Sequence, residues 1–285
     1  MRTRTIMNHS EVVWLTGCAS GMGLHLADAF LRRGYRVVAT DIDEVGLQTR
    51  ARERNWPTDS LLLRALDVRD VRAWEALAEE VAQHWGRLDI LVNNAGYIRP
   101  GFLKDTVADE VDLHLDINLK GVIHGSRVAA QRMVDAGRGH IINIASMAAL
   151  APIRGLGLYS SAKFGVRAFS LVLAQELAPL GVQVTTVCPD LIKTAMFDKQ
   201  LDYQKEAALT FSGGKVLTVE DMERVFFEQI LPRKPVEIMV PNTRGWLAKV
   251  GNLMPGISTY MADYLAKIGE KRLLRERSAA GKDSA

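Results

Sequence analysis

The sequence predicts an α/β chain: an open, doubly wound parallel sheet of about seven strands flanked by helices. Three observations carry this. Short apolar runs recur along the chain, as expected of strands buried on both faces. The segments between them place apolar residues near a 3.6-residue period. A cluster of glycines sits directly between the first strand and the first helix.

Val12–Thr16 is the first strand and is followed at once by Gly17-Cys18-Ala19-Ser20-Gly21-Met22-Gly23. A helical pattern then runs through Leu24, Leu26, Ala27, Phe30 and Leu31 and stops at Gly34. Arg36–Thr40 is the second strand, ending at Asp41. A polar helix over 44–54 leads to the third strand, Leu61–Leu66, which runs into Asp67 and Val68. Val71, Trp74, Leu77, Ala78 and Val81 share one face of a helix that Gly86 ends. Leu88–Val92 is strand four and runs into Asn93-Asn94-Ala95-Gly96. A long helical region over 107–133 precedes strand five, Ile141–Ile144, which ends at Ala145-Ser146. The next helix carries Tyr159 and Lys163 and runs to about Glu176, ahead of Pro179. Val182–Val187 and Glu237–Val240 complete the sheet. The expected organisation is one domain over 1–285. It has an N-terminal extension at 1–11, a substrate lid at 195–215 and a C-terminal helical extension at 241–285.

Composition narrows the function. Of 285 residues 48% are hydrophobic, enough for a large core, and a net charge of +3 gives no argument for nucleic acid. Cys18 and Cys188 lie far apart and match no zinc or redox spacing, which fits a reducing, cytoplasmic compartment. No signal-peptide pattern and no apolar run of membrane-spanning length is visible. The six histidines are dispersed, so no metal site is expected.

Ligands of such a sheet bind beyond the carboxyl ends of the strands, where Asp41, Asp67, Asn93–Gly96, Ser146 and Pro189 converge. Backbone N–H groups of Thr16–Gly23 and the positive end of the following helix suit a dinucleotide's pyrophosphate. Gly21 and Gly23 lack the β-carbon that would hold a phosphate away. Asp41 suits ribose hydroxyls and repels a 2′-phosphate, and neither Ser20 nor Ile42 offers a compensating cation, so NAD is favoured over NADP. Asp41 reads equally as a cap for the helix after it. Tyr159 and Lys163, four residues apart, share a helix face, and a positive charge beside a phenol favours the phenolate. Ser146 reads either as a donor to a reacting oxygen or as a helix cap. Asn118 reads as a satisfied core amide.

Taken together, Thr16-Gly-x-x-x-Gly21-x-Gly23, Asp67, Asn93–Gly96, Asn118, Ser146, Tyr159-x-x-x-Lys163 and Pro189 with Thr194 resemble the short-chain dehydrogenase/reductase family. The resemblance implies a Rossmann-like fold, a nicotinamide cofactor and a catalytic tetrad of Asn118, Ser146, Tyr159 and Lys163. It makes Tyr159 the general acid/base and gives Lys163 the nicotinamide ribose and a depressed tyrosine pKa to maintain. Ser146 orients the substrate oxygen, and Asn118 fixes a water in a proton relay. Asp67 and Val68 face adenine, Asn94, Ala95 and Gly96 line the adenosine side, and Ile192 and Thr194 meet the carboxamide. It also implies a homodimer or homotetramer built on region 107–133 and the Tyr159 helix. The family's usual glycine after Pro189 is Asp190 here, which would shift the loop, touch a polar group of the substrate or point to solvent.

The expected substrate pocket is apolar. Its walls are Tyr97, Ile98 and Phe102, Met147 to Leu150, and Ala195, Met196, Phe197, Leu201, Tyr203 and Phe211 of the lid, hinged at Gly213-Gly214. This points to a small lipophilic or aromatic secondary alcohol or its ketone, with Arg99 and Arg154 as the candidates for any anionic group. The rival readings are an NADP-dependent ketone reductase, a non-catalytic nucleotide-binding protein on the same fold, and an epimerase or dehydratase using NAD transiently. The extension has an apolar stripe from Trp246 to Ile268 and a basic end at Lys267, Lys271, Arg272, Arg275 and Arg277. It could lie on an anionic membrane surface, pack over the substrate pocket or meet another subunit, and docking on its own domain is favoured over the membrane.

Overall fold

The computed structural model describes residues 11–281, with 257–259 at backbone level only; residues 1–10 of the expected N-terminal extension lie outside the described residues. Seven strands form one sheet: β1 (Val12–Thr16), β2 (Arg36–Asp41), β3 (Leu61–Ala65), β4 (Ile90–Asn93), β5 (Gly139–Ile144), β6 (Val182–Pro189) and β7 (Glu237–Val240). Their order is β3-β2-β1-β4-β5-β6-β7 and every pair is parallel. The helices are α1 (Gly21–Leu31), α2 (Glu44–Glu53), α3 (Val71–Trp85), α4 (Ala108–Leu115), α5 (Gly121–Asp135) and α6 (Gly157–Leu177). They continue as α7 (Ala195–Gln200), α8 (Val219–Val225), α9 (Leu231–Arg233), α10 (Asn242–Leu253) and α11 (Pro255–Ala279).

Alternate strand residues feed two cores, because side chains of a strand point to opposite faces in turn. Val13, Leu15, Val37 and Ala39 pack with Phe30, Leu47 and Met222 from α1, α2 and α8. Val12, Trp14 and Val38 pack with Trp74, Met133 and Leu173 from α3, α5 and α6. Trp14 and Trp74 meet with ring centroids 4.8 Å apart, and the Trp14 indole donates to Thr40 Oγ1 at 3.2 Å, so neither large ring leaves a polar atom stranded.

Two expected elements change. Strand four begins at Ile90, two residues later than the apolar run suggests, because the Asp89 carboxylate accepts from Val12 N at 2.8 Å and pairs with Arg87. The helical region 107–133 is interrupted by a π-helical turn, Asp116–Lys120, which carries Asn118.

The extension packs on its own domain through α11. Gly269 lies so close to the Ala208 carbonyl that a β-carbon there would sit 1.8 Å from the oxygen. Leu273 is fully buried with Phe197, Leu201, Ala207 and Phe211. The opposite side of the extension leaves Trp246, Leu247, Leu253, Tyr260 and Tyr264 exposed. Among the described residues no helix is long and apolar enough to cross a membrane.

Candidate active site

A cavity of about 510 Å³ opens along the carboxyl edge of the sheet. Gly17, Ser20, Gly21, Met22, Asp41, Ile42, Asp67, Val68, Asn94, Ala95 and Gly96 line one end. Ser146, Met147, Tyr159, Lys163, Pro189, Ile192, Thr194, Tyr97, Met196 and Phe197 line the other. Of the residues expected in the site, Gly23 and Asn118 stand behind the wall.

The loop after β1 is held open by its neighbours. Thr16 Oγ1 accepts from Asn94 N at 3.0 Å and Ala95 N at 2.9 Å, and Asn94 Nδ2 donates to Thr16 O at 2.8 Å. Gly17 and Gly21 take the left-handed conformation, with φ of +73° and +56°. Gly23 has a different reason from the one its sequence position suggests: a β-carbon would lie 2.0 Å from Gly17 O and 2.6 Å from Asn94 Nδ2. It is small so that α1 can approach its own loop, and a phosphate does not enter that constraint. Ser20 begins α1 without a side-chain cap bond, so the first-turn N–H groups remain available to an anion. This cradle fits a dinucleotide's pyrophosphate.

Asp41 does not cap α2; Asp43 does, accepting from Gly46 N at 2.9 Å. The Asp41 carboxylate instead accepts from Ala19 N at 2.8 Å and Asp43 N at 3.0 Å, which fixes it at the cavity wall beside exposed Ile42. Arg69 also reaches this end, but it forms a two-pronged pair with Asp67, at 2.9 Å from Nε and 2.6 Å from Nη2. That pair holds the Asp67 carboxyl below its ordinary pKa and leaves Asp41 as the uncompensated charge.

At the other end, Tyr159 and Lys163 sit one turn apart on α6, and both are buried. Lys163 Nζ donates to Ile144 O at 2.8 Å and lies 5.6 Å from the Tyr159 ring centre. Burial opposes the depression expected from the neighbouring ammonium. Burial pushes Tyr159 up to about 12, against a smaller lowering by its hydrogen bond to Ser146. Burial pulls Lys163 down to about 8. Spacing predicted the shared face, but the ammonium is satisfied by the end of β5, and desolvation of the phenol is the larger effect. Ser146 takes the cap it was expected to offer, Oγ accepting from Ala148 N at 3.1 Å, and lines the cavity with Tyr159.

Asn118 is fully buried, and its amide pairs with the Tyr97 backbone in both directions, Oδ1 accepting at 2.9 Å and Nδ2 donating at 2.8 Å. Its side chain therefore fixes the loop after β4. The Tyr97 hydroxyl is held by Glu110 at 3.0 Å, and Arg99 pairs with the same carboxylate at 2.6 Å. Arg154 pairs with Asp263 of α11, so both arginines proposed for an anionic substrate are already committed.

Asp190 lines the cavity, and its side chain, 7% exposed, does not point to solvent. Its carboxylate turns into the protein and meets Arg244 Nε of α10 at 3.0 Å, while Arg272 of α11 donates to the Gly213 carbonyl. The lid divides as well. Ala195, Met196 and Phe197 face the cavity, whereas Leu201 and Phe211 are buried with Leu273 of α11 and Tyr203 packs against the same cluster. Ile98, Met147 and Ala148 line the cavity; Phe102 and Leu150 do not. Sequence reasoning missed Gln200 and Thr210, polar lid residues in the same wall, and nothing in their spacing marks them out.

Comparison with known proteins agrees with this geometry. The family described as short chain dehydrogenase matches residues 11–205. "Probable oxidoreductase EphD" of Mycobacterium tuberculosis is 42% identical over 184 residues, covering 64% of this chain and 31% of that protein, so the chain spans about a third of that relative's length. D-threitol dehydrogenase of Mycolicibacterium smegmatis is 35% identical, covering 70% of this chain and 76% of the relative. The 3-alpha-(or 20-beta)-hydroxysteroid dehydrogenase of M. tuberculosis is 37% identical, covering 66% and 71%. Among solved structures, a short chain dehydrogenase/reductase from Burkholderia phymatum in complex with NAD aligns with a TM-score of 0.78 at 25% identity, covering 87% of this chain and 95% of that one. An actinorhodin polyketide ketoreductase variant with NADPH aligns with a TM-score of 0.74 at 28% identity, covering 81% and 95%. With more than half its length matched by the family and the same sheet beneath the match, this chain belongs to the short-chain dehydrogenases.

Proposed function

We propose that this protein is an NAD-dependent oxidoreductase interconverting a secondary alcohol and its ketone. The observation that carries the reading is one cavity whose wall holds Ser146, Tyr159 and Lys163 together with the glycine loop and Asp41. A nicotinamide dinucleotide bound in that cradle supplies the hydride acceptor or donor. Gly17–Gly23 and the start of α1 hold its phosphates, Asp41 its adenosine ribose, and Val68 and Asn94–Gly96 the adenosine side. Ile192 and Thr194 lie where the carboxamide end falls.

Tyr159 Oη takes the alcohol proton in oxidation and returns it in reduction, while Ser146 Oγ orients the same oxygen. A phenol at about 12 is a weak acid that stays protonated at neutral pH, so it needs help to lose its proton before it can act as base. Lys163, one turn away and charged below about pH 8, is the cation that lowers this barrier once its ammonium turns from Ile144 O toward the ribose. Asn118 holds the Tyr97 backbone with its side chain, and the family resemblance also gives it a water in a proton relay behind Lys163. Asp41 without a free cation beside it favours NAD; Arg69 is neutralised by Asp67.

The wall of Ile98, Leu156, Met196 and Phe197 suits a lipophilic body. The relatives named for threitol and for hydroxysteroids span polar and apolar alcohols, and both leave the chemistry at Tyr159 the same. The chain is organised as one unit over 1–285, with 195–215 as lid and 241–285 as an extension held against it. Assembly as a homodimer or homotetramer through α5 and α6 is expected.

The decisive experiment is a panel of secondary alcohols and ketones with NAD and NADP, read by cofactor absorbance in wild type and Tyr159→Phe. Turnover by wild type, higher kcat/KM with NAD and its loss in the variant support the reading. Equal turnover in Tyr159→Phe would sink the mechanism, and a marked preference for NADP would sink the cofactor assignment.

A further inference from the structure

Two polar atoms in the cavity wall have no hydrogen-bond partner: Gln200 Oε1 and Thr210 Oγ1. Gln200 is 3% exposed and Thr210 9% exposed, so both side chains are at least nine-tenths buried. The Gln200 amide nitrogen donates to Met196 O at 3.2 Å, which commits that end of the side chain and leaves the oxygen as the free acceptor. The other orphaned side-chain atoms among the described residues, His140 Nδ1 and Thr186 Oγ1, lie on β5 and β6 and do not line the cavity. A buried polar group without a partner is costly, and native proteins seldom keep one unless something outside the chain completes it. In a cavity wall, that partner is the ligand.

The two orphans come from the lid, Gln200 closing α7 and Thr210 in the short helical turn Ala208–Ser212. Ser146 and Tyr159 come from the opposite side, the end of β5 and α6. Phe197 and Met196 stand in the wall with them. The charge of the partner is constrained too. A glutamine oxygen accepts and does not donate, and the cations lining the cavity, Arg69 and Lys163, are bonded to Asp67 and Ile144 O. A carboxylate or phosphate would meet an acceptor with no cation to offset it, whereas a neutral hydroxyl can donate to Gln200 Oε1 and share a proton with Thr210 Oγ1.

We propose that Gln200 and Thr210 form a second polar subsite that binds a hydroxyl of the substrate, distinct from the oxygen held at Ser146 and Tyr159. The substrate is then a diol or hydroxyketone with an apolar body between its two oxygens. This rests on the oxidoreductase reading above and names the class of alcohol it takes.

The test compares alcohols that differ only by the second hydroxyl: butan-2-ol with butane-2,3-diol, cyclohexanol with cyclohexane-1,4-diol, and decalin-2-ol with decalin-2,6-diol. These span short, middle and long separations of the two oxygens. In at least one pair the diol should exceed the mono-alcohol in kcat/KM by about tenfold or more, since a site built to bond a hydroxyl discriminates against its absence. That ratio should fall toward one in Gln200→Leu and in Thr210→Val. No diol preference in any pair, or a preference that survives both substitutions, overturns the proposal. A second measurement needs no turnover. In the ligand-free protein, replacing an unpaired polar group by an apolar one of like shape leaves the melting temperature equal or higher. A fall of several degrees in both variants would mean that the two atoms have partners within the protein, and the subsite would be lost. Absence of turnover on every alcohol with either cofactor would fail the oxidoreductase reading instead, and the thermal comparison would still judge the subsite.

Discussion

Replacing Arg244 by methionine should expose how the C-terminal extension is tied to the active-site edge. Asp190 follows the last residue of β6, its side chain is 7% exposed, and its partner Arg244 is 26% exposed. Burial raises the Asp190 pKa; Arg244 and, less strongly, Arg272 act against it. Breaking a fully buried pair from one side costs about 3–5 kcal/mol. Arg244 keeps a quarter of its surface in water and Arg272 stays nearby, so about 2 kcal/mol at pH 7 is the expected loss. For a chain of 285 residues that is a fall in Tm of about 3–4 °C. The pH dependence carries the signature. The folded pKa of Asp190 lies above its unfolded value, so the folded chain holds that proton more tightly and gains stability as pH falls through the folded pKa. Removing Arg244 raises that folded pKa further. The deficit of the variant is therefore full at pH 7 and shrinks as pH falls through the variant's Asp190 pKa. Scanning calorimetry at pH 7 and pH 5 measures this, and Asp190→Asn in the Arg244→Met background should recover part of the loss. A deficit that is the same at both pH values and unrelieved by Asp190→Asn would refute the ion-pair argument.

Other substitutions probe the remaining parts. Tyr159→Phe should keep dinucleotide binding in a fluorescence titration and lose ~10²–10⁴ in kcat, the range of general acid–base catalysis. Gly23→Ala forces a β-carbon to within 2.0 Å of Gly17 O; a stability loss of about 1–3 kcal/mol and weaker NADH binding are expected, the first read by urea unfolding. Asn143 accepts from Asn93 Nδ2 at 2.8 Å and donates to Ser170 Oγ at 2.9 Å inside the sheet. Asn143→Leu removes both bonds from a buried network in which Asn93 keeps Ser126 and Ser170 keeps the Val166 carbonyl, and should cost about 1–3 kcal/mol in the same assay. His140 is buried with its pKa pulled down to about 3. The unfolded chain takes up that proton near pH 6.5 and the folded one does not, so stability falls as pH drops from about 6.5 toward 3, by up to ~1.4 kcal/mol per pH unit. His140→Gln should flatten that limb of the stability profile.

The parts legible in the sequence are those set by local chemistry. β1 is buried at all five positions, and a continuous apolar run such as Val12–Leu15 has few other places to go. The turn of helix joining Tyr159 to Lys163 follows from spacing alone. What spacing cannot say is which of several neighbours a side chain chooses. Lys163 had the phenol within reach and took the Ile144 carbonyl, because a buried ammonium is satisfied best by a directed acceptor. Asp41 and Asp43 are two residues apart at one strand end, and the backbone turn decided which became the cap. Asp190 looked like a departure to be explained by the loop around it. Its explanation lies at Arg244, 54 residues further on, in a segment the motifs do not reach.

The same limit explains the lid, and it bears on specificity. Its apolar residues read as a single wall in sequence, yet Leu201 and Phe211 serve α11, Met196 serves the cavity, and Phe197 serves both. Leu273, Gly269 and Arg272 therefore sit behind the lid and hold the piece of chain that carries Gln200 and Thr210. If substrate choice resides in those two polar groups, α11 sets it without touching the substrate. The groups proposed for the reaction stand on the sheet edge and α6, while the groups proposed for selectivity stand on a lid seated by α11.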